Sequence, residues 1–190
     1  MKYVIFILQL GFVAFVLSAG QSSARTVCMG PASTWDECYR TITEADGNKY
    51  VGTFKNGKFE GEGKYSEANG NVYIGTWKNG IFHGEGVRST ADGAKYTGAY
   101  RDGLKHGAGT YISPTGATYL GDFKNGKYDG RGVLTKANGA VYTGVWAFGK
   151  MQGQGTYASP KGHRYKGLFK RSEFDGQGTF YASSGAIYSG

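Results

Sequence analysis

The sequence predicts an all-β protein: an elongated single-layer antiparallel sheet of six tandem 23-residue β-hairpin repeats, preceded by an N-terminal signal segment. Three periodic features predict this fold. A Tyr-x-Gly motif returns every 23 residues without insertion or deletion, an Asn-Gly or Asp-Gly pair follows it in four repeats, and a Gly-x-Gly pair follows in all six. The tyrosines of the motif are Tyr50, Tyr73, Tyr96, Tyr119, Tyr142, Tyr165 and Tyr188.

Each unit of 23 residues has the sequence of one β-hairpin. In Tyr-x-Gly-x-aromatic the alternation has period two, so the tyrosine, the glycine and the second aromatic residue face one side of a strand. The Asn-Gly or Asp-Gly pair supplies the positive φ angles of a tight turn. A second short strand starts around Gly-x-Gly. Because the strand glycines lack a Cβ, a neighbouring ring has room to lie flat on the sheet. Twelve strands spaced by about 4.8 Å form a rod of roughly 55–60 Å.

Two turns and both ends of the array depart from the repeat. Phe148-Gly149 replaces Asn-Gly in the fifth repeat, and Arg171-Ser172 contains no glycine in the sixth. Because serine tolerates positive φ poorly, we expect that last turn to be of a different type. The stretch CYRTITEADGNK matches only the second half of a repeat, and residues 25–49, which contain it, are interpreted as an N-terminal cap. Residues 188–190 begin a truncated seventh repeat without a visible cap; either the natural protein is longer, or this edge pairs with another chain.

Residues 1–24 have the pattern of a secretory signal peptide. Lys2 is followed by a largely apolar run and then by small residues, and cleavage fits after Gly20 or after Ala24. The alternative is an uncleaved anchor, because the 17 residues from Tyr3 to Ala19 reach the lower limit for crossing a bilayer. The sequence therefore predicts an exported protein, secreted or periplasmic, with N-terminal membrane anchoring as the minority interpretation.

Export also bears on the cysteines and on the charge. In an oxidising compartment Cys28 and Cys38 would form a disulfide that closes a short loop, which stabilises the fold by roughly 2–3 kcal/mol; two separate thiols are the alternative. The formal net charge of +8 favours contact with lipid headgroups or acidic glycans over nucleic acid, or serves solubility alone.

The repeats resemble a known family. The stretches YIGTWKNGIFHGEG, YTGAYRDGLKHGAG, YLGDFKNGKYDGRG and YTGVWAFGKMQGQG are similar to MORN (membrane occupation and recognition nexus) repeats, and the resemblance covers residues 50–187 as six full copies. It implies an elongated, twisted β-sheet of hairpins. Arrays of this family occur beside catalytic domains, link membranes or assemble filaments, and many act as protein scaffolds or dimerisation surfaces. No catalytic residues belong to the motif, so none are assigned here.

The histidines do not predict a metal site. His83 and His106 share one repeat position, in a column that also contains Glu60, Asp129, Gln152 and Asp175. Successive members of the column are two strands apart, about 10 Å, whereas the ligands of one metal ion lie within about 2 Å of it. We therefore interpret the column as a solvated polar ladder, with His163 alone beside a turn. We predict no catalytic residue, no cofactor and no metal site.

Two surfaces are candidates for binding. The first is an aromatic face whose rings form the core of a one-layer sheet, with some ring area left accessible in a groove. The second is a basic rim beside the hairpin turns, which either meets an anionic surface or is simply solvated. The aromatic face comprises Tyr50, Phe54, Tyr73, Trp77, Tyr96, Tyr100, Tyr119, Phe123, Tyr142, Trp146, Tyr165 and Phe169, and the basic rim comprises Lys55, Lys78, Arg101, Lys124 and Lys170.

The leading functional hypothesis is a non-enzymatic, exported scaffold. It would bind another protein or its own copy through the aromatic face or the uncapped C-terminal edge. The alternative is a peripheral membrane module that binds anionic lipid through the basic rim. No nucleic-acid partner is expected.

Overall fold

A computed structural model describes residues 26–190, and it confirms the predicted all-β fold as one open antiparallel sheet. Within these residues, fourteen strands pair in sequence order, so the prediction of twelve lacked one strand at each end. A short 3-10 helix, Ala32–Thr34, precedes them. The strands are β1 (Cys38–Thr43), β2 (Lys49–Lys55), β3 (Lys58–Ser66), β4 (Val72–Lys78), β5 (Ile81–Ser89), β6 (Lys95–Arg101), β7 (Leu104–Ile112), β8 (Thr118–Lys124), β9 (Lys127–Thr135), β10 (Val141–Ala147), β11 (Lys150–Ala158), β12 (Arg164–Lys170), β13 (Glu173–Tyr181) and β14 (Ile187–Ser189).

The second strand of each hairpin is longer than the sequence indicated. It has nine residues against seven in the first strand, and it begins three residues before Gly-x-Gly. The first glycine of that pair is a bulge residue, with φ between +61° and +103° in the six repeats, and the register within the hairpin shifts beside it. The place of Gly84 in the repeat suggested that it makes room for a ring, but the structure shows that it does not. It lies next to Thr76 and allows the strand to bulge.

The hairpin turns share one geometry, including the turn that was expected to differ. Both central residues have positive φ in the Asn56-Gly57 turn, and the same holds at Phe148-Gly149. At Arg171-Ser172 the angles are +53° and +76°, so the expectation of another turn type was wrong. The register of β12 with β13 imposes the conformation, and the Ser172 Oγ accepts a hydrogen bond from the Met151 amide at 3.1 Å.

The other strand glycines seat the tyrosine rings, as predicted. A Cβ built on Gly86 would lie 2.5–2.7 Å from the ring and hydroxyl of Tyr73, so only glycine leaves space there. The Tyr73 hydroxyl reaches past the glycines and donates to the carbonyl of Thr76 at 2.9 Å. The tyrosines of all six repeats make this bond to the carbonyl three residues onward, at 2.9–3.2 Å. The bond satisfies a polar atom that would otherwise be buried without a partner.

The N-terminal segment covers the first repeat. The predicted Cys28–Cys38 disulfide is present, with the two Cα atoms 5.0 Å apart. Trp35 packs edge-on against Phe54, with ring centroids 4.8 Å apart, and its carbonyl accepts a hydrogen bond from the amide of Gly57 at 2.8 Å. In the same way, the carbonyl of Phe59 accepts a hydrogen bond from the amide of Gly80 in the turn of the second repeat. The segment thus supplies contacts that a preceding hairpin would supply.

The predicted signal peptide and its cleavage sites lie outside the described residues, so export stays a prediction. Within residues 26–190, no helix is long and apolar enough to cross a membrane.

Candidate functional site

The twelve residues predicted to form the aromatic face are the buried core of the sheet. Their exposed fractions lie between 0% and 6%, and their rings pack edge-on within and between repeats, as Tyr50 does with Phe54 and with Trp77. Buried rings at this depth stabilise the sheet, and they leave little area for a ligand. Their role in binding stays a prediction.

A second layer of half-buried side chains covers the core on the same side. In four repeats an aromatic ring stacks on the core tyrosine, as Phe59 does on Tyr50 at 3.8 Å between centroids. The position of Phe59 was not predicted to be part of a site, although its recurrence every 23 residues is visible in the sequence. The second layer comprises Phe59, Tyr65, Phe82, Tyr111, Tyr128, Leu134, Met151, Tyr157, Phe174 and Phe180.

The second layer lines a shallow aromatic groove along the sheet. One cavity of about 360 Å³ lies between the second-layer residues Phe59, Tyr65 and Phe82. An equivalent cavity of about 270 Å³ lies two repeats further on, beside Tyr111 and Tyr128. The accessible part of the predicted face is therefore this groove, which we call the aromatic groove.

Two cations interrupt the second layer. Arg88 takes the position of Tyr65 and Tyr111, and its guanidinium lies 5.9 Å from the Phe82 centroid. Lys105 takes the position of Phe59, and its Nζ lies 4.0 Å above the Tyr111 ring. Burial lowers the pKa of Lys105, and the charge of Arg88 lowers it further. The groove is therefore apolar along its length with one positive region.

The polar ladder has a structural role in addition to its contact with solvent. Glu60 accepts a hydrogen bond from the Asn79 amide at 2.8 Å, and Asp129 and Gln152 bond the equivalent amides of the turns that follow them. Each bond ties one hairpin to the turn of the next hairpin. His163 has a comparable structural bond, because its Nδ1 accepts from the Ser183 amide at 3.1 Å. Among residues 26–190, no group of three or more His, Cys, Asp or Glu side chains could hold a metal ion.

The predicted basic rim lies at the ends of β2, β4, β6, β8 and β12, and all five of its side chains are exposed. Lys55 is engaged by Glu37 at 3.2 Å, and this carboxylate raises the pKa of Lys55. Across the hairpin turns the edge gains three further exposed lysines that the sequence analysis missed. They are Lys58, Lys127 and Lys150.

The family model for the MORN repeat matches six consecutive segments without a gap. The segments are residues 50–72, 73–95, 96–118, 119–141, 142–164 and 165–187. The chain belongs to the MORN-repeat family. Each matched segment is one hairpin together with the turn that leads to the next, so the resemblance seen in the sequence is confirmed.

The solved structures that this MORN chain is similar to match it at low identity. The TCP domain of SAS-4 (dCPAP) of Drosophila melanogaster, in complex with a proline-rich motif of Ana2, is 14% identical; the match covers 90% of this chain and 97% of that domain, with a TM-score of 0.45. The G-box domain of the microcephaly protein CPAP is 17% identical over 80% of this chain and 97% of that one, with a TM-score of 0.39. No curated protein sequence matches the chain. These likenesses are too distant to assign a partner.

Proposed function

We propose that the chain is a non-enzymatic, exported MORN scaffold that binds another protein, or a second copy of itself, through the aromatic groove. The observation that carries this proposal is the second layer of half-buried rings, which border a series of cavities along the sheet. Accessible apolar surface that is contiguous in this way usually marks a binding site. The export part of the proposal rests on the signal-peptide pattern of residues 1–24.

Changing Ile81 to lysine is expected to weaken partner binding by about tenfold, because central apolar anchors carry much of the binding energy of an interface. Ile81 is 49% exposed and lines the cavity of about 360 Å³ in the aromatic groove. The fold should be unaffected, since Lys58 and Lys127 occupy the same position in other repeats. Quantitative capture of proteins from the exporting compartment measures the heterologous partner, and analytical ultracentrifugation measures self-association.

The matched control is Leu120→Thr on the opposite face of the sheet. Leu120 is also about half exposed, at 57%, and Thr97 and Thr143 hold the equivalent position. Equal loss in both variants would show that the aromatic groove has no special part in binding. A strictly monomeric chain that captures no protein would contradict the proposed function itself.

A peripheral membrane module is the second candidate function. The observation in its favour is the lysine-rich turn edge, where the basic rim is joined by the three lysines across the turns. Each basic residue near an anionic bilayer contributes about 1 kcal/mol. Lys58 and Lys127 also line cavities of the aromatic groove, whereas Lys55, Lys78 and Lys124 line neither of these cavities. Changes at Lys55, Lys78 and Lys124 therefore separate the two candidates.

The triple change of Lys55, Lys78 and Lys124 to glutamate is expected to abolish binding to anionic vesicles if the turn edge faces a membrane. Sedimentation with phosphatidylserine vesicles at low and high salt measures this, because screening weakens contacts between exposed charges. The charge-matched control replaces Lys64, Lys161 and Lys166, away from the turn edge. Binding that ignores anionic lipid, salt and the triple change would exclude this function.

A further inference from the structure

The positive region of the aromatic groove departs from the repeat at two positions that meet in space. Across the six repeats, the core and second-layer positions on this side hold uncharged side chains with two exceptions, which are Arg88 and Lys105. They belong to neighbouring hairpins, yet both line one cavity of about 210 Å³, together with Lys95, Tyr96 and Tyr111. A drift of the sequence away from the repeat would have no reason to place two cations around one cavity.

One unsatisfied hydrogen-bonding group belongs to a residue that lines this cavity, and a second lies on a neighbouring core residue. Within residues 26–190, three buried side-chain nitrogen or oxygen atoms have no hydrogen-bond partner, and two of them are Arg88 Nε and the Tyr100 hydroxyl. Tyr100 is 4% exposed, and its ring and the Arg88 guanidinium both pack against Phe82. Arg88 Nε–H therefore has a hydrogen bond still to donate, and the Arg88 side chain as a whole is 39% exposed.

The charges around the cavity leave one positive charge unbalanced. Arg88 Nη2 lies 3.4 Å from the carboxylate of Glu67, and Lys95 shares the cavity lining with Asp92. Lys105 forms no ion pair with any carboxylate of the described residues. A ligand with one negative charge would restore the balance, whereas a doubly charged phosphate would exceed it.

We propose that this cavity is a carboxylate-binding site, which receives an aspartate or glutamate side chain of the protein partner. Lys105 supplies the charge, and Arg88 Nε donates a hydrogen bond. On both sides the aromatic groove is apolar, at Phe82 and at Tyr128, so the bound segment carries apolar residues next to its acidic residue. The site rests on the proposed protein-binding function and defines the chemistry of the partner.

A small probe tests the site without a partner. Hexanoate, an apolar carboxylate, is titrated into the full chain while the side-chain NMR signals of Arg88 Nε–H and Lys105 Nζ are followed at constant ionic strength. Saturable shifts are expected with hexanoate, and none with the neutral amide hexanamide. No shift with hexanoate, or tighter binding of inorganic phosphate, would overturn the carboxylate assignment.

The chain provides its own folded controls. Arg88→Leu and Lys105→Met restore residues found at the same positions in other repeats, as Leu134 and Met151. Each variant is expected to keep the fold and lose about tenfold or more in hexanoate affinity, because hydrogen bonds to charged groups are worth about 1.5–3 kcal/mol. Unchanged affinity in both variants would place the anion elsewhere and refute the site.

Peptide selection separates this inference from the proposed function. Peptides from a random display library selected on the wild-type chain should be enriched in an acidic residue beside apolar ones, and should bind Lys105→Met about tenfold more weakly. Peptides that bind Lys105→Met equally but lose binding to Ile81→Lys would refute the carboxylate site and support the aromatic groove. Hexanoate binding without any selected peptide would refute the assignment to a protein partner.

Discussion

Replacing Gly75 with alanine is expected to destabilise the protein by about 3 kcal/mol or more, because overpacking a rigid site forces backbone shifts. A Cβ at this position would lie 2.5 Å from the Gly86 Cα and 2.6 Å from the Glu85 carbonyl oxygen, and 2.7 Å from the Tyr73 hydroxyl. The first two are backbone atoms of the paired strand, which no side-chain rotation can move. Chemical denaturation followed by circular dichroism measures the loss.

The control for this prediction is Gly80→Ala in the turn of the same hairpin. A Cβ on Gly80 would meet no atom within 4 Å, so the change costs only the strain of a positive φ of +82°, about 1–2 kcal/mol. The difference between the variants measures the steric cost of placing a Cβ against the paired strand and the Tyr73 hydroxyl. Equal destabilisation would mean that the structure relieves these contacts without cost, and that Gly75 serves backbone conformation alone.

The repeat predicted the strands and turns because its signals are local. Alternation sets the faces of a strand, and Asn-Gly or Asp-Gly sets a tight turn. The two glycines of Gly-x-Gly could not be told apart in this way. Gly84 is a bulge residue and Gly86 is a ring seat, and only the register of β4 with β5 distinguishes them. Register also overrode the poor turn propensity of Ser172.

The sequence placed the candidate aromatic face on the side of the sheet that carries the aromatic groove, but the twelve residues named for it are the buried core. Tyrosines such as Tyr50 were assigned to the candidate binding face because they are the most regular residues of the repeat. Regularity selected the buried core, whereas the accessible layer tolerates Phe59, Lys105 and Met151 at one position. Stacking between neighbouring strands decides which ring is buried in the core and which ring covers it. A single sequence does not encode this stacking locally. The proximity of Arg88 to Lys105 required the structure, because the two residues belong to different hairpins.

The core tyrosines should also make the protein unfold cooperatively in alkali. Burial is the main cause that raises the pKa of these phenols above the ordinary value of about 10, since a tyrosinate would be desolvated among the rings and could no longer donate to the strand carbonyl. Neighbouring tyrosines and carboxylates add to the effect. The tyrosines with the largest shifts are Tyr50, Tyr73, Tyr96 and Tyr119.

The sign of the pH dependence follows from proton binding. The folded state keeps protons that the unfolded chain releases, so the stabilisation is complete below about pH 10 and is lost as pH rises through the folded-state pKa values. Four such tyrosines lower the free energy of unfolding by about 5 kcal/mol per pH unit near pH 11. Because domains are stable by only about 5–15 kcal/mol, the sheet should unfold within about one to three pH units above pH 10.

The measurement compares tyrosinate absorbance with circular dichroism during a rise in pH. The part of the absorbance rise that comes from the core tyrosines is expected to coincide with the change in circular dichroism, since these tyrosines ionise only when the sheet opens. Tyr119→Phe should lose the 3.0 Å bond to the Asp122 carbonyl, about 1 kcal/mol at neutral pH, and should reduce the alkaline slope by about 1.4 kcal/mol per pH unit.

Tyr188→Phe, which removes a tyrosine that is 63% exposed, serves as the control for the alkaline transition. It should leave the midpoint of unfolding unchanged, because this ring contributes little to the core. If all fifteen tyrosines ionised while the circular dichroism of the sheet persisted, the rings would have to reach solvent in the folded state. The core described here would then be too open to account for the burial of its phenols, and the glycine seats would lose their structural rationale with it.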